Sequence, residues 1–170
     1  MTKASEQERA ASESLELRVQ LEALLDGGQA HAKFEDAAKD FPSALRGVVP
    51  EGLPYSAWQL LEHIRISQAD IVEFSAPPTG GYKEKPWPDA YWPKNPVPPT
   101  PDAWDRSVAA IEADLAKFRA LITKEGADLA KPFRWGTGQN LLREALLIAD
   151  HNAYHIGELV MVRRLLGAWK

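Results

Sequence analysis

Trp104, Val108, Ile111, Leu115, Phe118 and Ile122 follow one another at alternating steps of four and three. Only a helix brings residues so spaced onto one side, and a stripe this regular is a seam that other helices must cover. Asp102 opens this helix and Gly126 lies just past its end. The rest of the chain reads the same way. A first helix is expected from about Ala4 to Leu25, with Leu17, Leu21 and Leu24 on one stripe. After Gly27-Gly28 a second helical piece carries Ala30, Phe34, Ala37, Ala38 and Phe41, until Pro42 stops it. Ser56 reads as an N-cap, its hydroxyl placed to accept an early helix N–H. The helix it opens runs to about Ser75 with Trp58, Leu61, Ala69 and Val72 on one side and His63 at the margin, near Ser67 and Phe74. The last helix is expected from about Gln139 to Leu166, with Thr137 as its cap. No segment alternates as a strand does. The fold class is all-α, a bundle of four main helices.

The chain has 170 residues, enough for one domain with a sizeable core. A single domain over residues 1–170 is expected, with residues 1–14 as a loosely attached N-terminal extension. A net charge of −4 and a pI near 5.6 give no general basic surface for nucleic acid or anionic membrane. With no cysteine there is no disulfide, no thiolate metal site and no thiol nucleophile of the chain's own. The N-terminus is polar and no apolar run reaches the ~20 residues of a membrane span. A cytoplasmic, soluble protein is expected. Between the second and third main helices, residues 77–101 hold most of the chain's 13 prolines and also Tyr82, Trp87, Tyr91 and Trp92. Proline excludes regular structure here, while the aromatics predict a loop packed over the bundle, with Trp87, Tyr91 and Trp92 as candidate pocket walls.

The last helix carries two apolar stripes. One is Leu142, Ala145, Leu146, Ala149, Ala153, Ile156 and Val160; the other is Glu144, Ile148, His151, His155, Glu158, Leu159 and Val162. Such a helix is central to its bundle or lies against another subunit, which makes a homodimer an expectation. His151 and His155 stand four apart, with Cβ atoms about 5–6 Å from each other. Both imidazoles can then reach one divalent cation at N–metal distances of about 2.0–2.1 Å. His63, on another helix, is a candidate third ligand. The pattern HExxH fails because Asn152 stands at the glutamate position. A dinuclear carboxylate centre fails because no histidine has a glutamate three residues before it. A mononuclear site rich in imidazole fits, for Zn, Ni, Fe or Mn.

Two segments carry a resemblance. Tyr55-Ser56-x-Trp58-Gln59-Leu60-Leu61-x-His63 resembles the DinB/YfiT-like family. So does Gly136-x-Gly138-Gln139 leading into Asp150-His151-Asn152-x-Tyr154-His155-Ile156-Gly157. The resemblance covers about Leu17 to Leu166. It implies a damage-inducible-type four-helix bundle that binds one divalent metal through His63, His151 and His155. Characterised members include metal-dependent transferases and isomerases that use low-molecular-weight thiols such as bacillithiol or mycothiol.

Two functions of different class follow. The first is a metal-dependent enzyme acting on a small molecule, a thiol-dependent S-transferase or a hydrolase. Glu158 or Glu144 would serve as its catalytic carboxylate, orienting a ligand histidine or moving a proton. The second is a stress-associated binding or interaction protein with a structural metal or none. His31 is read as a helix-surface histidine, and Tyr154 and Asn152 as packing or interface residues.

Overall fold

A computed structural model describes residues 3–169, apart from the side chains of residues 3, 4, 6, 7 and 10. It contains α1 (Lys3–Asp26), α2 (Phe34–Ala38), a 3-10 turn (Ser43–Leu45), α3 (Ala57–Ser75), α4 (Ala103–Thr123) and α5 (Leu141–Leu165). Among the described residues there is no strand, and no helix is long and apolar enough to cross a membrane. The long helices α1, α3, α4 and α5 form the bundle, and α2 packs on α5.

Local chemistry sets the helix starts. Ser56 caps α3 by accepting the Gln59 N–H at 3.2 Å, and Gln59 returns the favour to the Ser56 N–H at 3.1 Å, a reciprocal pair that satisfies two otherwise unpaired donors. At α5 the cap is Asn140, whose Oδ1 accepts the Arg143 N–H at 2.9 Å, instead of the expected Thr137. Gly138 holds Thr137 away from the helix by taking a φ of 127°, open to glycine and to few other residues.

In α1 the buried pair is Leu21 and Leu25, while Leu17 and Leu24 are 40% and 48% exposed, so the helix is rotated from the expected stripe. Its C-terminal half fixes that rotation: Arg18 donates to the carbonyls of Ile122 and Ala127, and Arg119 reaches Asp26.

The core is divided. Phe41, Trp58, Leu60, Leu61, Ile64, Trp104, Ile111, Ile156 and Leu159 belong to one apolar cluster. Leu21, Leu25, Phe118, Ile122, Ala145 and Ile148 belong to another. Burying each large side chain contributes about 1.5–3 kcal/mol. Between them lies a polar layer. The buried Gln68 donates to the Ile111 carbonyl at 2.6 Å and accepts the Asn152 amide N–H at 2.8 Å, tying α3 to α4 and α5.

Helices α3 and α4 run in the same direction, since Glu62 meets Ser107 and Gln68 meets Ile111. A parallel pair needs a crossover, and the proline-rich segment supplies it by running back along α3. Tyr82 and Lys85 reach Asp70, the Tyr91 carbonyl reaches His63, the Pro93 carbonyl Gln59, and the Pro96 carbonyl Ser56. Prolines keep this segment out of regular structure, and polar side chains of α3 supply partners for it.

Candidate metal centre

His63 comes from α3, and His151 and His155 from successive turns of α5. Each offers one ring nitrogen, and these three atoms lie within 4.8 Å of one another. The Nε2 atoms of His63 and His151 stand 3.1 Å apart. Two nitrogens bound to one ion through bonds of about 2.0–2.1 Å stand about 2.9–3.4 Å apart. The His63 and His151 rings are therefore already spaced as ligands of a common cation, and His155 lies close enough to join them.

What lies behind each ring decides which nitrogen faces the centre. His63 Nδ1–H donates to the Tyr91 carbonyl at 2.9 Å, leaving the Nε2 lone pair inward. His155 Nδ1–H donates to Glu158 Oε2 at 2.7 Å. The other oxygen of Glu158 accepts the Tyr55 hydroxyl, and burial together with Glu158 pushes the Tyr55 pKa up, so the phenol keeps its proton. Carboxylate and carbonyl acceptors behind ligand imidazoles fix their tautomer and raise their basicity. His151 differs: its Nδ1 is buried with no partner among the described residues.

Burial also keeps two of the imidazoles neutral, those of His63 and His151. It pushes the His63 pKa down, and it pushes that of His151 down to about 4, with His155 and His63 adding to the effect. Neutral imidazole is the form that binds a metal. The loop closes one side. Trp92 lies flat on His63 with ring centres 3.9 Å apart, and Tyr55 stacks on Trp92 at 5.4 Å. His63 and His155 are 2% and 8% exposed. His151 is half-buried, so approach to the centre is from its side.

The structure thus brings together the three expected ligands and places Glu158 directly behind one of them. Glu144 is elsewhere: it is buried, pairs with Arg143 at 2.7 Å and makes no bond to any of the three histidines. Of the candidate walls, Trp92 covers the centre; Tyr91 gives it only a backbone carbonyl and sends its hydroxyl to Asp70, and Trp87 is 72% exposed. His31 is exposed and bonds the neighbouring Ala32 carbonyl. Asn152 belongs to the polar layer, and Tyr154 is exposed with its ring edge-on to His155. Tyr55 and the Tyr91 carbonyl were not singled out in the sequence as parts of the site. Tyr55 had a signal, its place just ahead of the α3 cap in the motif that ends at His63; the carbonyl had none.

The donor set, three imidazoles with two braced from behind, could hold a metal ion. No curated protein and no solved structure matches the chain. A family model does, over residues 28–159, which include all three histidines, Glu158 and the loop. The chain belongs to the DinB superfamily.

Proposed function

We propose that this chain is a metal-dependent enzyme with a mononuclear divalent-cation site at His63, His151 and His155, acting on a small molecule by thiol transfer or hydrolysis. The observation that carries the reading is the 3.1 Å approach of two inward Nε2 atoms on different helices. Three protein ligands leave coordination positions for substrate, as catalytic sites do and closed structural sites do not. A divalent cation held there would supply Lewis-acid chemistry, lowering the pKa of a water or thiol that reaches it. The chain has no cysteine, so a thiol would arrive with the substrate.

The residues have distinct tasks. Glu158 is a positioning residue: both of its oxygens are engaged, one by His155 and one by Tyr55, so it orients the imidazole and fixes its tautomer. Trp92 excludes water from one face of His63. His151, least enclosed of the three, stands at the side where substrate enters.

The test is metal analysis of untagged protein purified without chelators. Near-stoichiometric Zn, Ni, Fe or Mn, absent from folded His63→Ala and His151→Ala/His155→Ala variants, is the expected result, and thiol-transfer and hydrolysis assays follow on the loaded protein. If no metal is present as purified and none binds when these ions are added back, the proposed function is wrong. A metal that binds but is sealed by a fourth protein ligand would instead favour a structural role.

A further inference from the structure

Helices α3 and α5 face each other again two turns nearer the start of α5, where a cleft of about 620 Å³ opens between Asp70, Phe74, Tyr82, Trp135, Arg143 and Glu144. This is the size range of small-molecule sites. Two carboxylates in its wall are buried, Asp70 at 8% exposure and Glu144 at 1%. They are not equivalent. Asp70 accepts from the Tyr91 hydroxyl at 2.7 Å, the Tyr82 hydroxyl at 3.1 Å and the Lys85 ammonium at 2.5 Å, and is fully compensated.

Glu144 has a single side-chain donor, Arg143 at 2.7 Å, and its second oxygen accepts nothing from the described residues. The Arg143 side chain is 54% exposed. An ion pair with so exposed a partner is worth little, whereas a buried carboxylate lacking full compensation is costly. A cation brought from outside would remove that cost.

The opposite wall says what should carry the cation. Tyr82 meets Phe74 edge-on at 5.0 Å, Phe74 meets Phe133 edge-on at 5.6 Å, and Phe133 stacks on Trp135 at 5.2 Å. Trp135 Nε1–H donates to the Phe74 carbonyl at 2.8 Å, which fixes the indole although it is 49% exposed. An exposed but anchored aromatic face offers stacking and cation–π attraction at little ordering cost. We propose that this cleft binds a primary ammonium carried on an apolar or aromatic body, with the ammonium at Glu144 and the body against Trp135 and Phe74. The inference does not depend on the metal centre.

Phenethylamine is the probe and 3-phenylpropionate, the same body with the opposite charge, is the control. Both are titrated into the full-length protein while the indole N–H signal of Trp135, identified with Trp135→Phe, is followed by NMR. Saturable binding of the amine and none of the acid is expected. Glu144→Gln should weaken amine binding by about tenfold or more, the loss of one charged partner, with the remaining spectrum unchanged. Arg143→Ala, which removes the competing cation, should tighten it. The His151→Ala/His155→Ala variant should bind the amine as the parent does, whether or not the parent holds metal. Amine and acid binding alike, no saturable amine binding, or undiminished binding by Glu144→Gln would each overturn the proposal. In those cases Glu144 is only the structural partner of Arg143.

Discussion

Near their middles, α3 and α5 turn three imidazoles toward one another, and two turns along the same helices bury carboxylates. At the histidine centre two of the three imidazoles are compensated from behind, His63 by the Tyr91 carbonyl and His155 by Glu158 backed by Tyr55, while His151 Nδ1 has no partner among the described residues. The Nε2 atoms of His63 and His151 are left facing each other across the centre. At the carboxylate end, Asp70 is compensated in the same manner by the loop, but Glu144, in the first turn of α5, has one exposed arginine as its single side-chain donor. Depth of burial alone does not distinguish the two places. What differs is whether the compensation comes from partly buried groups held by several contacts or from one exposed side chain that solvent can pull away.

The largest effect expected from breaking this contrast is on metal content. His63→Ala, or His151→Ala/His155→Ala, should take bound metal from near-stoichiometric to background in mass spectrometry, while circular dichroism stays helical. Next comes the brace. Glu158→Gln should lower metal affinity by about 10–100-fold, as loss of such an acceptor does, read by competition with a chelator of known affinity. Tyr55→Phe should act in the same direction and less, and an unchanged affinity in both would separate Glu158 from the centre.

The polar layer offers a third test. Gln68→Ala leaves the Ile111 carbonyl and the Asn152 amide without their partner, and should cost about 1–3 kcal/mol in urea unfolding.

The fourth concerns pH in the metal-free protein. His151 has a folded pKa of about 4 against an ordinary value of 6.5, so between these pH values the unfolded chain binds the extra proton. Stability therefore rises with pH through this window: it is complete above about pH 6.5 and is lost progressively toward pH 4. His63, shifted in the same direction, adds to the slope. A urea midpoint in chelator that is flat from pH 7 to 4 would show that these imidazoles are not held neutral.

The smallest effect is expected at Glu144→Gln. Replacing a poorly compensated buried charge by a neutral isostere should leave thermal stability unchanged or raise it, by up to about 1 kcal/mol; clear destabilisation would mean the Arg143 pair matters more than its exposure suggests.

Much of this architecture was legible in the chain because its signals are local. The seam from Trp104 to Ile122 and the Ser56 N-cap depend on residues within one helix, and both appear as expected; the return bond from Gln59 is an addition. His151 and His155 are neighbours for the same reason, and the motif around His63 brought in the third ligand. What stayed hidden depends on contacts between distant segments. A helical wheel places Glu144 in the same stripe as His151, but seven residues are about 10 Å of axis. The partner facing α5 changes over that distance, from His63 to Asp70 and Phe74. Trp92 and Trp87 are equivalent in composition, and only the rungs that pin the loop to Gln59 and Ser56 decide that Trp92 covers His63 while Trp87 is exposed. Thr137 lost the cap to Asn140 because the backbone at Gly138 turns in a way that residue type does not announce.

The Gln68–Asn152 bridge also acts as an index mark between helices. Apolar surfaces slide past one another at low cost, and two leucine-rich faces one turn out of step still bury most of their area. A hydrogen-bonded amide pair does not tolerate that displacement, because moving α3 by one turn along α5 would strand a buried donor and a buried acceptor together. Since Asn152 directly follows His151 and Gln68 lies five residues beyond His63, the mark that sets the alignment of the two helices sits beside the ligands it aligns. The register that pairs the two amides is therefore also the register that brings the three histidines together.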